Sequence, residues 1–365
     1  MRVLFYHGES AWSGTARVSI QLARGLAARG HQITVASCAG SLIEFAAQAG
    51  GLETMPIDGT VSAMGGAFDL RRVLAEKFIE VAVVSSERDH LIVASAMRFA
   101  ERGAVLRRLQ SFVPLGAQRG GRLALRLAAA GLVVSSDREL KEASPRGWAM
   151  PATVAPIGVD PATYDSVEPA TRADIGAASQ GPIIACAYDA SGRYRLGGVL
   201  RTLALLAPRH RALHLAVFGP GTNDDELRLH TAALGVSSLV SFVDESRDPF
   251  PVMRAATVGW VVSSGDAAAL ACLDFMSMRV PVIAERSPLS QHYVAGGITG
   301  ILLSSEESSL TASAVAAFLT SDEKRIAMGN AGRTRVQREF PETAMIDGFE
   351  RAVNAAGDRT KWTTR

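Results

Sequence analysis

One pattern recurs along most of this chain: a short apolar run, a polar or glycine-containing break, and then a longer amphipathic run. The first copy has an apolar run at residues 3–6, a polar loop at 8–14 and an amphipathic stretch at 19–28, and a second apolar run follows at 32–37. Short apolar runs that alternate with helix-length amphipathic runs are typical of parallel strands joined by crossover helices. The pattern therefore predicts an α/β fold built on parallel sheets.

The alternation pauses once, between residues 151 and 181, where four prolines lie among small and charged residues. A chain of 365 residues is long for a single hydrophobic core, and two domains of roughly 150 to 180 residues are the economical solution. We predict a first domain at 1–160, a second at 161–340, a helix at 341–356 that crosses back to the first domain, and a frayed tail at 357–365.

Composition excludes several classes of protein. Hydrophobic residues make up 48%, charged residues 20%, and the net charge is +2, as in a globular chain without a nucleic-acid-binding tail. The three cysteines, Cys38, Cys186 and Cys272, lie scattered in apolar runs, which predicts buried free thiols rather than disulfides or a metal site. The first apolar run is too short for a secretion signal or a membrane span. We expect a cytoplasmic protein with no metal and no nucleic-acid partner.

Four short segments follow one another in an informative order. They read SGTARV at 13–18, PIGVD at 156–160, VFGPG at 217–221 and VSF at 240–242. In this order they resemble the retaining GT-B glycosyltransferases of family 4, whose chain opens with Gly-Gly-Ala-Glu-Arg-Val and enters the linker with Asn-Gly-Val-Asp. The resemblance covers nearly the whole chain and implies two Rossmann-like α/β domains that face each other across a cleft.

The most diagnostic stretch begins at Asp266. Family members carry two glutamates separated by seven residues and then a Met-Ala-x-Gly-x-Pro-Val run, and here Asp266 and Asp274 keep the spacing while FMSMRVPV at 275–282 keeps the tail. Two carboxylates eight positions apart lie near one face if both are helical. The resemblance implies that Asp266 contacts the hydroxyl groups of the donor sugar and that Asp274 accepts hydrogen bonds from the ribose diol. For Asp266, capping of the following helix is an equal alternative.

Neutralising the donor's diphosphate requires positive groups. The resemblance implies an arginine and a lysine at the start of the second domain, but the chain has no lysine between Lys141 and Lys324. Arg193 and Arg195 are the local replacements, since arginine can bind phosphate oxygens bidentately. One alignment instead places Leu196 at the lysine position, and two exposed loop arginines are the alternative interpretation.

Four further residues complete the predicted donor site. Gly14 and Gly265 lie in loops rich in free amide groups, which favour a phosphate at a helix start. By resemblance, Gly219 ends a strand in a glycine turn and Phe242 belongs to the strand that walls the nucleobase pocket.

The first domain is predicted to form the acceptor side. From residue 102 to residue 136 the chain has six arginines and no acidic residue: Arg102, Arg107, Arg108, Arg119, Arg122 and Arg126. The last three recur at helical spacing and predict a basic face for an anionic membrane surface, a phosphorylated lipid acceptor or an acidic protein. A solvated arginine face is the alternative. His7, at the end of the first apolar run, is predicted to line the cleft or to be structural.

The resemblance implies a hexosyltransferase of carbohydrate biosynthesis. It would use a UDP- or GDP-type sugar as substrate, need no cofactor or metal, and act with retention on a hydroxyl acceptor that is a saccharide, a lipid-linked molecule or a small molecule. Several ligand-facing family residues are replaced, among them by Ala16, Gln110 and Ile157. An inactive homologue that binds a nucleotide or a partner is therefore an alternative, as is a nucleotide-sugar epimerase. An NAD oxidoreductase is disfavoured because the first loop lacks Gly-x-Gly-x-x-Gly spacing.

Overall fold

The structure is a computed structural model. It describes residues 1–60, 62–110, 129–143, 151–178, 180–244, 248–303 and 308–363. The chain divides into two compact units, the first comprising Met1–Ile157 and Glu342–Arg365 and the second comprising Gly158–Pro341.

The first unit contains a parallel sheet flanked by helices. Its strands are β1 Arg2–His7, β2 Gln32–Cys38, β3 Glu53–Ile57, β4 Val81–Val84, β5 Ala104–Arg108, β6 Ala129–Val134 and β7 Ala152–Val154. The helices described before residue 157 are α1 Gly14–Ala28, α2 Leu42–Ala49, α3 Ala63–Glu76, α4 Glu87–Ala100 and α5 Asp137–Ala143. The strand order is β3-β2-β1-β4-β5-β6-β7, so the order reverses between β1 and β4. The central strands are apolar runs because helices cover both faces of the sheet.

The second unit repeats this architecture with six parallel strands. They are β8 Ile183–Ala187, β9 His214–Phe218, β10 Val240–Phe242, β11 Val258–Val261, β12 Val282–Glu285 and β13 Gly300–Leu303, in the order β10-β9-β8-β11-β12-β13. Its helices are α6 Arg172–Ile175, α7 Arg193–Leu206, α8 Asp225–Ala233, α9 Phe250–Ala255, α10 Gly265–Ser277, α11 Pro288–Tyr293, α12 Ser308–Leu319 and α13 Asp322–Glu339. Here the strand order reverses between β8 and β11. The predicted α/β class with parallel, Rossmann-like sheets is confirmed.

The last helix, α14 Glu342–Thr363, belongs to the first unit. Its ring of Phe349 stacks on Phe5 of β1 with 6.0 Å between centroids. Arg29, at the end of α1, pairs with Asp347 and Glu350 of α14. The helix continues to Thr363, so it includes residues 357–363 of the predicted frayed tail.

Helix α10 is the most enclosed helix described in the second unit. Every residue from 268 to 277 is buried. A Cβ on Gly259 of β11 would lie only 2.4 Å from the ring of Phe275, so glycine is what lets this helix approach the sheet. On its other side, a Cβ on Gly329 of α13 would lie 2.0 Å from the carbonyl oxygen of Arg279, just after the helix.

This contact yields a stability prediction. Gly329→Ala would push α13 away from the backbone after α10, and we expect a loss of about 1–3 kcal/mol, seen as a lower melting temperature of the second unit in scanning calorimetry. The matched control is Gly198→Ala in α7, where a Cβ meets no atom closer than 3.9 Å. There alanine should stabilise by about 0.5–1 kcal/mol through helix propensity. Equal melting temperatures for the two variants would contradict this packing.

Candidate functional site

The reversal of strand order in the second unit creates a crevice at the carboxyl ends of β8 and β11, the usual ligand position in open α/β sheets. The two loops that form it are closely packed, since a Cβ on Gly192 would lie 2.3 Å from the carbonyl oxygen of Val262. The hydroxyl groups of Ser191 and Ser264 are 2.6 Å apart across the crevice. This position therefore joins the starts of α7 and α10.

The carboxylate of Asp189 lies at the centre of this crevice. It accepts hydrogen bonds from the backbone N–H of Gly192 at 3.1 Å and from that of Ser264 at 2.9 Å. These amides stand at the N-terminal ends of α7 and α10, where free N–H groups and the helix dipole favour an anion. In the structure, the anion that these two amides bind is the carboxylate of Asp189.

Helix α10 carries both predicted aspartates, so the condition for placing them near one face, that both are helical, is met. Asp266 is 2% exposed and Asp274 is 3% exposed. Eight helical residues separate them by roughly 12 Å along the axis, with Asp266 at the crevice end. The N-cap of α10 is Ser264, so the alternative that Asp266 caps this helix is wrong: the helix begins earlier than the sequence suggested.

Asp274 is held by a tyrosine. The hydroxyl of Tyr164, from a short 3-10 turn at Pro161–Tyr164, donates a hydrogen bond to its carboxylate, and the Tyr164 ring packs edge-on against Phe250. A buried carboxylate is costly without such partners. The contact explains how the apolar helix accommodates Asp274, whose ribose-binding role remains a prediction.

Arg193 and Arg195 point to different partners. Arg193 is paired with Asp224 and Glu226 near the start of α8, and the charge of Asp224 is the main cause that raises its pKa. The Nε of Arg195 instead donates to the carbonyl oxygen of Val262 at 2.8 Å. Leu196 is fully buried in the core, so the alternative alignment places no cation there either.

Arg195 also lines a cavity of about 200 Å³ bounded by α7, the ends of β11, β12 and β13, and the start of α12. Neither Asp266 nor Asp274 lines it. Within the described residues of the second unit, the predicted carboxylates and arginines are therefore not brought together around one cavity.

The remaining predicted residues occupy plausible positions whose ligand roles stay predictions. Gly219 has φ +122°. Because it has no Cβ, the backbone carbonyl oxygen of Tyr188 can lie close to its Cα. Gly265 is the first residue of α10 and has φ +54°.

Phe242 ends β10, with the Arg228 guanidinium 5.5 Å from its ring centre. Gly14 begins α1 after Ser13, whose hydroxyl accepts from the Ala16 amide.

The first unit has a second polar cluster, at the carboxyl ends of β1, β4 and β5. Burial, with a smaller effect of Arg108, lowers the pKa of His7 to about 4. Burial also lowers the pKa of Arg107 to about 10, raises that of Tyr6 to about 12 and raises that of Asp89. Asp89 was missed by sequence reasoning, although it lies in the first turn of α4, the helix that follows the apolar strand β4.

The predicted basic segment is only partly described. Arg107 and Arg108 are buried at the end of β5, because they continue a central strand. The predicted helix face of Arg119, Arg122 and Arg126 lies outside the described residues.

Comparison with known proteins agrees with this architecture. Residues 167–335 match the family model of glycosyl transferases group 1. Over 141 residues the chain is 33% identical to the D-inositol 3-phosphate glycosyltransferase of Corynebacterium jeikeium strain K411, a match that covers 36% of this chain and about a third (33%) of that relative's length.

Two solved structures resemble the chain over nearly its full length. HepE of Anabaena in complex with UDP-glucose has a TM-score of 0.80 at 17% identity, covering 97% of this chain and 100% of that one. A glycosyltransferase of Rickettsia africae ESF-5 has a TM-score of 0.79 at 13% identity, covering 97% and 98%. These likenesses show the fold, which is the predicted GT-B type with two Rossmann-like domains.

Among the described residues, no helix combines the length and the apolar character needed to cross a bilayer.

The Tyr164–Asp274 contact can be tested by removing one hydroxyl. Tyr164→Phe should destabilise the protein by about 1–3 kcal/mol, because a buried carboxylate loses a donor, and urea unfolding would measure the loss. Tyr194→Phe is the matched control, since Tyr194 is 72% exposed. If both variants unfold at the same urea concentration, Tyr164 does not stabilise Asp274.

His7 gives a prediction about pH. Its folded pKa of about 4 lies below the ordinary 6.5, so the unfolded chain binds a proton more readily, and the stability contributed by neutral His7 is lost as pH falls from 6.5 towards 4. Between pH 7.5 and 4.5 the free energy of unfolding should fall by about 2 kcal/mol more for the wild type than for His7→Gln. The other titrating groups are common to both proteins, so parallel pH curves would show that His7 is protonated equally in both states.

Proposed function

We propose that this chain, whose residues 167–335 belong to the group 1 glycosyl transferases, transfers a hexosyl group from a nucleoside-diphosphate sugar to a hydroxyl acceptor with retention of configuration. Helix α10 carries the proposal. It begins in the crevice at the strand-order reversal and bears two buried carboxylates at the spacing of the family's paired acidic residues. HepE, which shares the fold, was solved with UDP-glucose.

In this proposal the donor lies along the crevice end of α10. Asp266 accepts hydrogen bonds from the sugar hydroxyls, and Asp274, roughly 12 Å further along the helix axis, accepts them from the ribose diol. A diphosphate separates sugar from ribose in such a donor, so two well-separated acceptors suit it better than two adjacent ones.

Among the described residues of the crevice, backbone amides are the groups best placed to bind the diphosphate. Arg193 is engaged by Asp224 and Glu226. The amides of Gly192 and Ser264 are bound by Asp189. Donor binding therefore requires the diphosphate to displace Asp189, and oriented amides would then stabilise the charge that gathers on the leaving nucleoside diphosphate.

A second candidate, a homologue that has lost catalysis and serves as a nucleotide-binding or partner-binding scaffold, is favoured by the same carboxylate. Asp189 repels a diphosphate at the position where an enzyme would bind one, and the aligned lysine position holds buried Leu196.

Calorimetric titration with UDP, GDP, UDP-glucose and GDP-mannose separates the two candidates. If the diphosphate replaces Asp189, Asp189→Ser should bind the preferred nucleotide about tenfold more tightly, equivalent to about 1.4 kcal/mol. Asp225→Asn, at the exposed start of α8, should leave the affinity unchanged. No binding of any nucleotide to the wild type or to Asp189→Ser would overturn the transferase and the nucleotide-binding scaffold, and would leave only the partner-binding scaffold.

Turnover is the second measurement. We expect slow hydrolysis of the preferred donor, with the α-anomer retained in the initial product by NMR when the donor is α-linked. Asp266→Asn should lower the hydrolysis rate about a hundredfold, which corresponds to about 2.7 kcal/mol of activation free energy. Binding of UDP or GDP alone should stay unchanged, because Asp266 contacts the sugar and these nucleotides have no donor sugar. Tight nucleotide binding without hydrolysis or transfer in the presence of saccharide, lipid-linked and small hydroxyl acceptors would favour the scaffold.

A further inference from the structure

The cavity beside Arg195 is large enough to hold an organic molecule. Its volume of about 200 Å³ is more than ten times the ~15 Å³ that a single water needs. Its apolar lining residues include Trp260, Val199 and Leu303, and the other lining residues include polar and charged ones.

Three guanidinium groups line this cavity, from Arg195, Arg201 and Arg286. None of them forms an ion pair with an acidic residue in the described ranges. Among the described lining residues Glu285 is the only carboxylate, so the described part of the lining carries two net positive charges. Unpaired like charges around one cavity repel each other, and an anion relieves that repulsion.

The arginines are placed to receive a ligand. The Nη2 atom of Arg195 is buried and has no hydrogen-bond partner within the described part of the chain, while its Nε is fixed by Val262. The Arg201 side chain lies along α7, with Nη1 3.5 Å from the point that a Cβ of Gly197, one turn earlier, would occupy. A buried donor without a partner is costly, and a bound acceptor would satisfy it.

Two backbone features strengthen the same interpretation. Ser308, the first residue of the twelve-residue helix α12, lines the cavity, so the positive end of that helix adds to the field. Gly198 of α7 also lines the cavity. The nearest atom to a Cβ on Gly198 would be Nη2 of Arg201, at 3.9 Å. Glycine costs helix stability at this position but keeps the cavity open.

We propose that this cavity is a binding site for a small organic phosphate, a dianionic phosphate monoester whose apolar part lies against Trp260. A dianion matches the two net positive charges, and the guanidinium groups can bind phosphate oxygens bidentately. The cavity adjoins the nucleotide crevice, since Val262 lines the cavity and also packs against Gly192 in the crevice. Its lining includes none of Asp189, Ser264, Asp266 and Asp274.

Phenyl phosphate is a suitable probe because it joins a phosphate monoester to a flat apolar ring. Isothermal titration of the full chain should show saturable binding of phenyl phosphate and none of benzyl alcohol, its neutral counterpart. Arg201→Ala and Arg286→Ala should each weaken binding about tenfold or more, since each removes a charged donor. Arg338→Ala, an exposed arginine of α13 outside the cavity, should bind like the wild type.

Gly198→Leu tests the cavity without changing any charge. It should fill the space and abolish phenyl phosphate binding while the melting temperature stays at or above that of the wild type, since leucine is a better helix former. Retained binding in a folded Gly198→Leu protein would overturn the proposal, as would equal binding of benzyl alcohol.

A competition experiment separates this site from the proposed enzyme activity. Phenyl phosphate should bind with the same affinity in the presence of saturating UDP or GDP, and it should bind even if the chain proves to have no transferase activity. Displacement by the nucleotide would show that the cavity is part of the nucleotide site and would overturn the proposal. No phenyl phosphate binding to the wild type would do the same.

Discussion

The enclosure of helix α10 is the constraint on which the second unit depends. The helix lies against β11 through Gly259 and Phe275, and against α13 through Gly329. Arg333 of α13 donates to the carbonyl oxygen of Ser277 at 2.9 Å and forms a paired contact with Asp165 at 2.7 and 2.8 Å. A helix so fixed holds its two aspartates in one geometry, because neither end can shift without disturbing an adjacent element.

The enclosure of α10 also explains an unusual backbone conformation just after the helix. Arg279, two residues after α10, has φ +60°, a region that non-glycine residues seldom occupy. The family pattern has glycine at this position. Here arginine occupies the left-handed turn that leads α10 into β12, so the surrounding packing rather than local preference sets the conformation.

How far sequence predicts the structure depends on where each residue finds its partners. Strands β1 and β2 were predicted because each is an apolar run bounded by polar residues. Strand β3 was missed, since it contains Glu53 and Pro56 and lies at the edge of its sheet, where proline is tolerated. Tyr164 and Asp189 were missed because their partners are 110 and 75 residues away, and no local pattern marks such a contact.

The two arginines show why a correct choice of residues can still give an incorrect site. The sequence placed Arg193 and Arg195 in one polar loop and predicted that they act together on one diphosphate. The structure begins α7 at Arg193, and residues two apart on a helix do not face each other. Arg193 therefore reaches the carboxylates of α8, while Arg195 reaches Val262 and the cavity. Because the helix begins at Arg193, the two guanidinium groups lie on different surfaces, and binding of the diphosphate is left to backbone amides that Asp189 now holds.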